Sequence, residues 1–267
     1  MSLPDPVPDA TFPTGVAHRV HHLEVMGTVV TIDLYTDPSA PEPAVESLLN
    51  AACRSLVDAD EVFSTWKADS PMSRLRRGEL TLEAAPPEIA EVLDACRDAR
   101  RLSDGWFDPW AMPGGVDPTG LVKGWAAQRA LGRLAAPFVT GAIVNAAGDI
   151  ACRGGLGTQP FRFGIVDPFA PRQLLCVVRG TAALATSGTY ERGLHLIDPH
   201  SGGAVDRLAS ASVSGPDLGL ADALATAVAV AGVEGLDLVE ALDGFEALVV
   251  TPEGTRHRTA GFPVEPH

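Results

Sequence analysis

The stretch ASASVSGPDLGLADALATAVAVA, residues 209–231, reads as a strand, a stop and a helix in succession. Residues 209–213 are small and apolar with a β-branched end, and Gly215-Pro216-Asp217 then breaks the run. Residues 218–231 continue as an unbroken series of small and apolar residues, too long for a typical strand, and predict a helix. Within that helix Asp222 and Thr226 are four residues apart and share one face. A carboxylate beside a hydroxyl suits a hard cation such as magnesium, which commonly takes one or two carboxylates and fills its shell with water and phosphate. The same pair is also compatible with Thr226 bonding back to a helical carbonyl and Asp222 serving the helix start.

Working outward, a second short helix is expected at 236–242 and a strand at 245–250. Upstream, strands are expected at 142–146, 161–166 and 174–178, and a hairpin or bulged strand pair over 19–35, broken by Gly27. Amphipathic helices are expected at 44–63 and 87–102, and a shorter one at 121–134. Helices and strands are interleaved without a regular βαβ rhythm, which points to an α+β fold: one bilobed domain with mixed or antiparallel sheets flanked by helices. Residues 1–18 are proline-rich and aperiodic and read as a flexible tail, leaving 19–267 as the domain.

Composition limits the function. The chain carries 34 acidic and 20 basic residues, a net charge of −14, which opposes general nucleic-acid binding. Any anionic ligand must be held by a local device: a metal, a lysine or backbone N–H groups. No apolar run reaches the ~20 residues of a membrane-spanning helix. The N-terminal residues show no basic and apolar signal pattern and no lipid-acceptor cysteine, so a cytoplasmic protein with no membrane insertion is expected. Cys53, Cys96, Cys152 and Cys176 are widely spaced and read as buried hydrophobes.

Several polar, Gly-rich segments stand out. Residues 117–124, DPTGLVKG, place a turn before a helix with Lys123 in its first turns, without the spacing of a P-loop. Residues 185–188, ATSG, present Thr186 and Ser187 at a strand end. Residues 195–199, HLIDP, put His195 at the start of a short strand, where an imidazole can act as a base near neutral pH or serve structure alone. Residues 145–149, NAAGD, read as a strand-to-turn segment.

Taken in order, these segments resemble the ApbE family of FAD-dependent flavin transferases. The resemblance starts at Met26-Gly27-Thr28 and runs through FSTWKADS (63–70), SPMSR (70–74) and GWFDP (105–109). It continues through DPTGLVKG, NAAGD, ATSG and HLIDP to ADALAT (221–226), so it spans about residues 24 to 251. What it implies is an FAD substrate, a Mg²⁺ ion, and transfer of FMN to a Thr or Ser hydroxyl of a target protein with release of AMP. It assigns Met26, Trp66, Asp108, Asp117, Lys123, Thr186, Ser187, Leu196 and Ile197 to FAD. Gly120, Asp222 and Thr226 are assigned to the metal, and His195 to the base. The chain departs from the family in several places, among them Asp117-Pro118-Thr119-Gly120 where the family has Asp-Leu-Gly-Gly. Ala225 stands where some members have a second Asp before the metal-binding Thr, and the stretch between Phe107 and Asp117 is short. Ala147 also replaces the first Gly of a Gly-Gly-Asp. Two other readings share the site: FAD hydrolysis to FMN and AMP with water as acceptor, and FAD binding without catalysis.

Overall fold

The computed structural model describes residues 15–188 and 196–266. In chain order the strands are β1 (Ala17–Val25), β2 (Thr28–Thr36), β3 (Val139–Ala146), β4 (Asp149–Leu156), β5 (Gln159–Pro160), β6 (Arg162–Asp167), β7 (Ala170–Arg179), β8 (Ala183–Ser187), β9 (Ser210–Gly215), β10 (Glu246–Val250) and β11 (Arg256–Arg258). The helices are α1 (Glu42–Phe63), α2 (Pro71–Arg76), α3 (Pro87–Leu102), α4 (Thr119–Arg133), α5 (Leu218–Ala231) and α6 (Gly235–Glu240). One nine-stranded sheet runs β1-β2-β3-β4-β8-β9-β10-β11, with β5 attached to β4. Strands β6 and β7 form a separate two-stranded ribbon, and every pairing is antiparallel.

The alternation of side chains across a strand sorts the core into two layers. Ala151, Ala183, Ala185, Val213, Ala247 and Val249 face the helices. Their neighbours Ile150, Cys152, Leu184, Leu248 and Val250 face the opposite side, where they pack with Phe161, Phe163 and Ile165 near the β6–β7 ribbon. Small residues dominate the helix-facing side because α5 lies directly on it. That helix is buried nearly all round, so its sequence is apolar all round. It starts where Asp217 accepts the Leu220 N–H at 2.8 Å.

The expected helices at 44–63, 87–102 and 218–231 match α1, α3 and α5 closely. The 19–35 segment is a hairpin, and β1 begins at Ala17, two residues inside the stretch read as tail. Helix α4 starts at Thr119, two residues earlier than expected, because Asp117 turns the chain by accepting the Thr119 N–H at 3.1 Å. Strand β4 and helix α2 were not expected. The β4 sequence DIACRGGL has little strand propensity of its own, and pairing with β3 and β8 holds it in place. Residues 145–149 form the β3–β4 hairpin turn, in which the Gly148 N–H donates to Asn145 Oδ1 at 2.8 Å.

Candidate active site

The β1–β2 turn, the β3–β4 turn and the end of β8 lie at the same end of the sheet. The first residues of α4, the Asp222–Thr226 face of α5 and the segments at 64–67, 106–113 and 196–199 close around that end. They enclose a cleft of about 880 Å³, within the range of small-molecule sites. Met26, Trp66, Asp108, Asp117, Gly120, Lys123, Thr186, Ser187, Leu196, Ile197, Asp222 and Thr226 all line it. His195 lies outside the described residues.

The cleft floor is fixed by close approach of α4 to α5. A side chain at Gly124 would put its Cβ 2.4 Å from the Leu218 carbonyl oxygen and 3.0 Å from Asp222 Cβ, so only glycine fits. The bare backbone there donates its N–H to Asp222 Oδ2 at 3.0 Å, holding a carboxylate that is 4% exposed. Thr226 sits one turn further along, 3.3 Å from the Ser187 hydroxyl. Gly120 faces it, with a Cβ position 3.5 Å from Thr226 Oγ1. The side-chain donors gathered here are one carboxylate and hydroxyls, a hard set suited to Mg²⁺ and not to a soft metal. Among the described residues no group of three His, Cys, Asp or Glu side chains could hold an ion. A cation on Asp222 would therefore keep coordination positions for water and substrate.

Charge on the rim is organised by two pairs. Lys67 and Lys123 are the only lysines of the chain, and both line the cleft. Lys67 reaches Asp60 at 2.6 Å, and Lys123 pairs with Asp149. The Asp149 side chain is 1% exposed, and it also accepts the Thr186 N–H at 3.1 Å. Removing one partner of such a buried pair typically costs about 3–5 kcal/mol, so Lys123 is fixed beside the floor. Thr186 is fixed further by its hydroxyl contact with Ser212 at 2.9 Å.

The remaining walls are braced from behind. Arg76 donates to Asp117 Oδ2 and to the Pro113 carbonyl, both at 3.0 Å, and pins the short 113–117 segment. Arg100 holds Asp108 at 2.6 Å while Asp108 accepts the Trp110 N–H. In the 196–203 turn, Ile197 bridges to Ala204, short of the strand expected there. Asp198 anchors that turn. Burial pushes its pKa up, but the His200 N–H, the Ser201 hydroxyl and N–H and the Arg207 guanidinium hold the carboxyl below its ordinary 3.8. Arg207 also lies over Trp106 at 5.2 Å, and His200 meets the same ring edge-on at 4.4 Å. At the mouth, Trp66 is 95% exposed.

Sequence reasoning missed Arg76, Gly124, Asp149, Lys67 and Trp106. Asp149 and Trp106 lay within segments already singled out, NAAGD and GWFDP. Gly124 closes the DPTGLVKG segment and Lys67 lies in FSTWKADS, whereas no local pattern marks Arg76, whose partner Asp117 is 41 residues away.

The sequence model of the ApbE family matches residues 26–114 and 111–249. A FAD:protein FMN transferase from Rhodobacter capsulatus is 26% identical, over 86% of this chain and 55% of its own length. The chain thus spans about half the length of that curated relative. The flavin transferase ApbE from Vibrio cholerae superposes with a TM-score of 0.77 at 21% identity, over 92% of this chain and 99% of the other. The apo flavinyl transferase ApbE from Pseudomonas stutzeri also gives 0.77, at 24% identity over 92% and 95%. These solved structures share the fold.

Proposed function

The chain belongs to the ApbE family, and from that premise we propose that it is a Mg²⁺-dependent FAD:protein FMN transferase. The observation that carries the reading is convergence. Segments spread from Met26 to Thr226 meet in one cleft whose floor offers a held carboxylate, hydroxyls and a fixed lysine. In the reaction, a Thr or Ser hydroxyl oxygen of the target protein attacks the FMN phosphorus of FAD. The bond to the AMP phosphate breaks, AMP leaves, and the hydroxyl proton passes to a base.

Asp222, Thr226 and the Gly120 carbonyl are the residues suited to hold Mg²⁺, which when bound neutralises diphosphate charge and favours AMP as leaving group. Lys123 presents positive charge on the same side. A protein hydroxyl is a weak nucleophile until its proton is taken, and His195 is assigned that task. Met26, Trp66, Asp108, Asp117, Leu196 and Ile197 are assigned to the walls that orient FAD. The acceptor is a separate flavin-accepting protein.

The test is a comparison of Asp222→Ala and His195→Ala with the unaltered protein, in FAD, Mg²⁺ and a Thr-containing acceptor peptide. Asp222→Ala is expected to abolish metal-dependent turnover. His195→Ala is expected to slow transfer far more than it weakens FAD binding. Full activity in Asp222→Ala contradicts the metal assignment. An equal fall of binding and transfer in His195→Ala makes that residue a binding group and not the base.

A further inference from the structure

Behind the cleft, a second concavity of about 270 Å³ opens between α1, α3 and α4. Arg54, Arg129 and Arg133 line it, against Asp58 and Glu88, in a molecule whose net charge is −14. Arg129 lies over the Trp125 ring, 5.1 Å from its centroid, and approaches Glu88 and Glu91 only at 3.8 and 3.6 Å. Among the described residues neither Arg54 nor Arg133 has a carboxylate within ion-pair distance.

We propose that this pocket is an anion site for a phosphate group, either free phosphate or a phosphate monoester. The donors are guanidinium forks from two helices, Arg54 from α1 and Arg129 and Arg133 from α4. They outnumber what the two oxygens of a carboxylate can use and suit a tetrahedral oxyanion. Asp58 and Glu88 keep the pocket only weakly positive, which favours a small, exchangeable anion over a long acidic partner. The site is distinct from the cleft but shares a wall with it. Ala59 and Phe63 line both, and the Phe63 ring meets Trp125 edge-on at 5.4 Å. The inference stands independently of the transferase reading.

Calorimetric titration with inorganic phosphate, and separately with AMP, tests it in metal-free buffer at low ionic strength. The proteins compared are the full chain, the double variant Arg54→Ala/Arg133→Ala, and the cleft variant Lys123→Gln. The full chain and the cleft variant are expected to bind inorganic phosphate alike, and the double variant at least tenfold more weakly, with circular dichroism showing all three folded. AMP binding tighter than phosphate binding in the cleft variant, and lost in the double variant, identifies a monoester, and equal or weaker AMP binding identifies the free oxyanion. No binding to the full chain, binding unchanged in the double variant, or binding lost in Lys123→Gln overturns the proposal.

Discussion

Met26 adopts φ 53°, in the left-handed region that costs a non-glycine residue about 1 kcal/mol. With Gly27 at φ 70° it forms the two-residue turn of the β1–β2 hairpin. A glycine there would relieve the backbone, yet the chain carries methionine where its side chain borders the cleft. Relief of the backbone opposes the loss of core packing and the added unfolded-state entropy, so Met26→Gly should change the unfolding midpoint little while weakening FAD binding, as measured by denaturation and by flavin fluorescence titration. If stability falls and FAD binding is unchanged, the methionine serves packing and not the ligand. At this scale the sequence was informative wherever chemistry and spacing were local. Asp222 and Thr226 could be paired four residues apart on one helix. Their neighbours Gly120, Ser187 and Gly124 could not be placed beside them from the residues alone, because the chain between them folds through the sheet.

Between elements, the α4–α5 contact sets the site. Adding one methyl group at Gly124 forces the helices apart, since Cβ would fall 2.4 Å from a backbone oxygen that cannot rotate away. Gly124→Ala should cost about 1–3 kcal/mol of stability and should raise the Mg²⁺ concentration needed for half-maximal turnover, because the Asp222 carboxylate loses its N–H anchor. A second element-level prediction concerns the 196–203 turn. The folded pKa of Asp198 is depressed, so its contribution is complete at pH values above 3.8 and is lost as pH falls through the lower folded value. The melting temperatures of the unaltered protein and Asp198→Asn should differ at neutral pH and converge in acid. A constant difference would show that the carboxylate charge does not hold the turn. Helices were the legible elements, since α1 and α3 carry clear apolar stripes and proline starts. Strands β4 and β8 were not separable as paired strands. Glycines and short length hide them locally, and only their neighbours in the sheet stabilise them.

For the whole molecule, a sheet with apolar layers on both faces leaves one end free, and the turns and helix starts gathered there make the cleft. The acidity of the surface makes the cleft's few cationic groups decisive. Among the described residues the cationic side chains lining it are Lys67 and Lys123, so FAD affinity should fall sharply when divalent metal is chelated. The α+β class and the order of the motifs were readable in advance. The cleft volume, the bracing by Arg76 and Arg207 and the arginine pocket behind α1 were not, because each depends on residues brought together only by the fold. The central claim is most directly tested by measuring AMP and covalently flavinylated acceptor peptide together, in one reaction containing FAD and Mg²⁺. The account predicts the two products in equal amounts and no AMP without acceptor. AMP released at the same rate without acceptor, or tightly bound FAD yielding no AMP at all, would contradict it.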